Sequence, residues 1–407
     1  MSFMQFFIWG AWLITVGNYC SNTKGWTFIE FGAIFSTLGY SSLLMPALTG
    51  IIADRWISAE KLYGVLHILG GCALACIPMV DNPATFFWVI FAAMICYMPT
   101  ISLSNSIAFT ILKNNNFEVI KVFPPIRVWG TIGFIVAMWV TNLTGNKASA
   151  NQFYISAVSA IILGMYSFSL PKCPPQNLIS KEASFVEMLG LKAFKLFANY
   201  KMALFFIFSM FLGAALQLTN MYGDTFLSDF SKVPAYSESV VVKYSTIIMS
   251  ISQISETLFI LAIPFFLNRF GIKQVMLISM LAWVLRFALF AYGDPAWGLW
   301  MIILSCIVYG MAFDFFNISG SLFIETTTDP SIRSSAQGLF MMMTNGVGAI
   351  LGSLVSGFMI DKYFTNGNSR DWQHIWLAFA IYAFVIAIAF AIMFKHKHGE
   401  KVEVVTH

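Results

Sequence analysis

The chain has 407 residues, 58% of them hydrophobic and only 10% charged, with a formal net charge of +4. A soluble domain carries about 25% charged residues. A soluble reading is therefore excluded, and the chain reads as an all-α polytopic membrane protein.

A membrane helix needs about 20 apolar residues. Twelve such segments are expected in chain order: 3–22, 30–52, 62–80, 85–111, 126–143, 152–170, 200–222, 244–267, 274–292, 297–322, 335–360 and 372–394. The first begins almost at Met1 and is expected to be helix 1 itself, with no cleavable leader before it. Asp54 and Arg55 follow Gly50 at the end of helix 2, where a charge pair can latch a cytoplasmic gate. Cys72 and Cys76 share a face of helix 3 and read as small packing residues. Helix 5 places Arg127, Thr131 and Phe134 on one face.

The longest connection, 171–199, divides the chain into a six-helix bundle over 1–170 and another over 200–394, with a tail over 395–407. In its second half Phe185, Leu189, Phe194 and Phe197 alternate with Lys192 and Lys195, which predicts an amphipathic helix on the cytoplasmic leaflet. Helix 7 carries Gln217 and Asn220 at helical spacing, with Asp224 a turn further on. Asp224, like Glu30, is expected near the outer membrane surface and solvated. Helix 8 carries Gln253 and Glu256, and helix 9 carries Arg286, expected to snorkel or to pair structurally. Helix 10 carries Asp314 and Asn317 among Tyr309, Phe313, Phe315 and Phe316. The glycines of helix 11 (Gly346, Gly348, Gly352, Gly357) suit close helix packing.

Lysine and arginine crowd onto the loops on the N-terminal side, among them Arg55, Lys61, Lys113, Lys121, Arg269 and Arg333. By the positive-inside rule both termini are cytoplasmic. The halves also echo each other. Asp54-Arg55-Trp56 after helix 2 matches Asn268-Arg269-Phe270 after helix 8, and Pro125-Ile126-Arg127 matches Pro330-Ser331-Ile332-Arg333. Paired six-helix halves about a pseudo-two-fold axis are the architecture of major facilitator transporters.

Glu256 and Asp314 lie where an ionised group is most costly, deep in apolar helices. An acid in oil favours its neutral form, so either can carry a proton. Amides and carboxylates suit hydroxyl groups, and rings suit a flat heterocycle. A neutral, polyhydroxylated, partly flat solute fits this pattern. The cysteines form no C-x-x-C and the histidines no H-E-x-x-H, so no metal, no cofactor and no enzyme activity are expected. No nucleic-acid-binding pattern is present. A sugar or disaccharide–proton symporter would use the same polar rows, and a non-transporting membrane ligand sensor is a reading of another class.

Several strings carry a specific likeness: MQFFIWGAWL, MPALTGIIADRW, FPPIRVWGTIGFIVAMW, FFIFSMFLGAALQLTNMYG, IIMSISQISETLFILAIPFFLNRFGIK and YGMAFDFFNISGSLF. They resemble the bacterial nucleoside–proton symporter family of the major facilitator superfamily, and within it the broad-range permeases. The likeness runs over essentially the whole chain. It departs at the N-terminus, in 171–187 and in 228–243. The resemblance implies a monomeric permease of the bacterial inner membrane that imports nucleosides such as uridine and adenosine with protons. It implies a pocket between the halves lined by Arg127, Thr131, Phe134, Gln217, Asn220, Gln253, Glu256, Tyr309, Phe313 and Asp314. Asp314 is assigned to the sugar and Glu256 to the proton.

Overall fold

A computed structural model describes residues 1–175, 191–330, 332–367 and 369–396. The chain forms two compact units, Met1–Leu189 and Gly190–His407. The described residues of each hold six helical segments, the first of the chain interrupted.

In the first unit α1 runs over Ser2–Gly10, loosens, and resumes at Val16–Asn18 before a π-helical turn at Tyr19–Thr23. A loosened helix inside a bilayer must find new partners for its backbone. Here neighbouring helices supply them. Ser156 Oγ donates to the Ile8 carbonyl at 2.6 Å and Thr141 Oγ1 to the Ala11 carbonyl at 3.0 Å.

Next come α2 (Phe28–Arg55), α3 (Ala59–Cys76), α4 (Pro83–Asn114), α5 (Val119–Leu143) and α6 (Asn151–Ser167). The first of these opens with a capping box in which Thr27 and Glu30 exchange hydrogen bonds. Glu30 thus has a defined helix-capping role. Helix α5 starts earlier than the predicted 126 and runs through Pro124 and Pro125; membrane helices tolerate proline where neighbours repair the bonding. Helices α3 and α6 touch through Gly64, Gly71 and Gly164, where an added Cβ would strike the facing helix. Cys72 and Cys76 are exposed on the unit's surface, so they do not serve as core packing.

The second unit begins with a 3-10 helix at Leu191–Ala198. Phe185 and Leu189, half of the predicted amphipathic face, lie outside the described residues. The described part differs from a purely surface-lying helix: Ala193 and Leu196 are buried, and the Phe197 ring packs 5.4 Å from Phe206. At the other end of this connection the chain folds back on α3. The Cys173 amide donates to the buried Glu60 carboxylate at 2.9 Å. Burial and that carboxylate push the Cys173 thiol up to about 11.

Helix α7 spans Tyr200–Asp229, capped by the Asn199 side chain. Ser245–Tyr292 is one 48-residue helical run, broken at Gly271, whose φ of 77° and ψ of 170° suit only glycine. The break separates α8 (245–270) from α9 (272–292). Then follow α10 (Leu299–Thr327), α11 (Arg333–Tyr363) and α12 (Trp372–Met393). Helix α11 contains a π-helical stretch, Met342–Gly348. Between α11 and α12, β1 (Thr365–Asn366) pairs with β2 (Ser369–Arg370), Thr365 opposite Arg370. The buried Asp229 carboxylate ties this hairpin to the end of α7. It accepts from Arg370 at 2.7 Å and Trp372 at 3.0 Å, and pairs with Lys232 at 3.0 Å.

Among the described residues nine helical runs are long and apolar enough to cross a membrane. The count of twelve is recovered once three features are seen. Helix α1 is interrupted, α6 has only 17 residues, and α8 and α9 share one run.

Candidate functional site

The polar rows of the second unit lie on α7, α8 and α10. Helices α8 and α10 meet backbone to backbone. A Cβ added to Gly310 would strike the Ser255 carbonyl and the Glu256 amide, and Ser255 Oγ donates to the Ile307 carbonyl. Asp314 stands one turn beyond Gly310, so this contact brings Glu256 within electrostatic range of both Asp314 and Tyr309. Asp314 is only 4% exposed, and its Oδ2 accepts no hydrogen bond among the described residues. The Gln253 Oε1, one turn before Glu256, is likewise buried without a partner. Gln217 is buried and Asn220 half-buried on α7.

Beside these groups the rings of Tyr309 and Phe313 are stacked, with centres 5.8 Å apart and planes 7° from parallel. Trp283 meets Tyr309 edge-on at 5.9 Å. The result is a flat aromatic shelf next to a carboxylate with spare accepting capacity. Such a carboxylate can take a hydroxyl proton donor or bind a proton itself.

Arg286 organises the surroundings. It is 0% exposed, so it does not snorkel. Its guanidinium donates to the Ser305 carbonyl at 2.6 Å, to Ser252 Oγ at 3.4 Å and to Thr219 Oγ1 at 3.3 Å. It also lies over the rings of Tyr309, at 4.7 Å, and Phe290, at 5.2 Å. Ser252 and Thr219 are the chain neighbours of Gln253 and Asn220, so one guanidinium fixes the rows on α7, α8 and α10. The sequence marks Arg286 as a deep charge. Nothing in it marks the neutral hydroxyls and the carbonyl that bind it.

Asp224 corrects an expectation. It is 0% exposed and accepts from Thr246 Oγ1 at 2.7 Å, tying α7 to α8 rather than facing water. Its position along α7 measures depth, whereas packing against α8 decides burial.

In the first unit Arg127 and Phe134 lie on the face of α5 that packs on α1, and Thr131 stands one turn from Arg127 on the same helix. The Arg127 guanidinium lies 4.1 Å from the centre of the Phe6 ring. Phe134 is buried edge-on to Trp9 at 6.3 Å. The helices approach closely because Gly10, Gly130 and Gly133 leave no side chain between them. Beside them runs a polar network absent from the sequence reading. Gln5 donates to Thr100 at 2.9 Å and accepts from Tyr63 at 2.6 Å, while Tyr97 donates to the Gln5 carbonyl at 2.7 Å. Asp54 and Arg55 sit half-buried at the end of α2.

Comparison with known proteins adds the family. The model of the nucleoside H+ symporter family matches residues 1–399. The nucleoside permease NupG of Escherichia coli (strain K12) is 52% identical over 399 residues, covering 98% of this chain and 95% of that protein. The xanthosine permease of the same organism is 49% identical over 413 residues, covering 100% and 98%. A crystal structure of the nucleoside transporter NupG superposes with a TM-score of 0.91 at 52% identity, covering 97% of this chain and 98% of that one. A twelve-helix chain with a buried Asp314 in electrostatic range of Glu256, beside an aromatic shelf, thus belongs to the nucleoside H+ symporter family of major facilitator transporters, and it is a proton-coupled nucleoside importer rather than an enzyme.

Proposed function

We propose that import proceeds by alternating access, with Asp314 holding the ribose hydroxyls and Glu256 carrying the coupling proton. The observation that supports this most is the buried Asp314 carboxylate with an unpartnered oxygen, within electrostatic range of Glu256. Two acids so close cannot both stay ionised cheaply in a low dielectric. A proton arriving on one removes charge from the site and lowers the cost of enclosing a neutral solute. Gln217, Asn220 and Gln253 offer amides to the sugar and to the base edge. The Tyr309–Phe313 shelf and Phe134 offer faces for the base. Arg127 and Thr131 of the first unit are also assigned to nucleoside binding.

Asp54 and Arg55 act as a gate latch at the end of α2. The protein works as a monomer among the lipids of a bacterial inner membrane, with both termini in the cytoplasm. Nucleosides such as uridine and adenosine are its cargo.

The test uses everted or right-side-out vesicles in weak buffer. Adding uridine to vesicles with the wild-type protein should raise external pH while label accumulates inside. Asp314→Asn should abolish both signals with the protein still in the membrane. Uphill uptake by that variant would remove Asp314 from the mechanism, and uptake without a pH change would remove the proton.

A further inference from the structure

A small cavity opens beside Phe313, between α7, α9, α10 and α11. Its volume is about 20 Å³, room for one water-sized group and far too little for a ring. Leu212, Leu216, Trp283 and Phe316 make most of its wall apolar. Two carboxamides, those of Asn317 and Asn345, also line it.

Both amides are poorly used. The Asn317 Nδ2 reaches back to the Phe313 carbonyl at 3.4 Å, and the Asn345 Nδ2 to the Met341 sulfur at 3.9 Å. Both contacts are at the edge of hydrogen-bond reach. Neither carboxamide oxygen takes a hydrogen bond among the described residues. Thr344, the other polar residue of the wall, is already satisfied by the Phe340 carbonyl at 2.9 Å. Asn345 sits in the π-helical stretch Met342–Gly348. A π-turn in an otherwise regular helix costs stability and recurs at functional sites. Gly213 admits this widened turn, since a Cβ there would collide with the Thr344 carbonyl. Backbone irregularity and two underused amides therefore converge on one small space that shares the Phe313 wall with the aromatic shelf.

We propose that this cavity is a base-reading subsite: it admits one exocyclic oxo or amino group of the nucleobase, and Asn317 and Asn345 are specificity-determining residues that bond to it. A carboxamide carries both a donor and an acceptor and can turn over. A pair of them accepts an oxo group from one nucleoside and an amino group from another, which suits a permease of broad range. The inference rests on reading Asp314, Tyr309 and Phe313 as the nucleoside site.

The experiment measures inhibition of labelled uridine uptake by inosine, by adenosine and by purine riboside, which lacks any exocyclic group. In the wild type the substituted nucleosides should inhibit more strongly than purine riboside. Asn317→Leu and Asn345→Leu keep the side-chain shape but remove the hydrogen bonds. Each should shrink that preference by roughly tenfold, leaving purine riboside unchanged. Leu216→Phe fills the cavity without touching either amide and should act in the same direction. Where a variant no longer transports, calorimetric titration of the purified protein with the same three compounds gives the same ratio. A preference unchanged in all three variants, or an equal loss for all three compounds, overturns the subsite while leaving the nucleoside reading intact. A wild-type protein inhibited by none of them overturns both.

Discussion

Arg286 is the residue on which the second unit's polar rows depend. Its partners are two hydroxyls and a carbonyl, and its charge is spread over two aromatic faces. Arg286→Met would leave those groups buried without a donor, at a cost of about 1–3 kcal/mol for each one left unsatisfied. The variant should melt at lower temperature in detergent and lose uptake. Arg286→Lys keeps the charge but replaces a planar fork with a point, and should recover only part of both. Wild-type melting and transport in Arg286→Met would show that the guanidinium organises nothing. Residues of this kind are half legible. The sequence marks the charges of Glu256, Asp314 and Arg286 because charge is rare in apolar helices. Asp224 misleads because its solvation depends on a partner, Thr246, that no periodicity points to.

At the scale of helices, glycine positions decide how closely the polar rows meet. Gly310→Ala would drive a methyl group into the Ser255–Glu256 backbone and push α8 and α10 apart. Uptake should fall at least tenfold, because a displacement near 1 Å at a binding constellation can cost about two orders of magnitude. Gly338→Ala, whose added methyl meets open space, serves as the control and should be neutral. Equal behaviour of the two variants would refute the argument from close approach. The existence of each helix is legible because about 20 apolar residues are needed to span a bilayer. The joints are less so. The α8–α9 break falls at Gly271, inside the connection that the sequence predicts. The start of α5 does not follow the sequence, since Pro124 and Pro125 look like a stop and are crossed. The unwinding of α1 and the π-turn in α11 leave no local signature. Both depend on what neighbouring helices donate or make room for.

For the whole molecule the driving force is adequate. A potential of about 100 mV is worth about 2.3 kcal/mol per charge, and about 1.4 kcal/mol is a factor of ten. One coupled proton therefore supports roughly 50-fold accumulation from voltage alone. Collapsing the potential with valinomycin at equal potassium, pH gradient held fixed, should lower steady-state accumulation by about that factor. Accumulation indifferent to potassium would mean that no net charge enters with the nucleoside. Arg286 carries a consequence here. The second unit holds one deep cation, Arg286, and two deep acids, Glu256 and Asp314, so one proton on an acid brings the net charge of these three groups to zero. Those three groups then present no net charge to the field in the filled carrier and one negative charge in the vacant one as it resets. Trans-stimulated swapping of one nucleoside for another, which skips that reset, should run at the same speed whether the membrane is polarised or not.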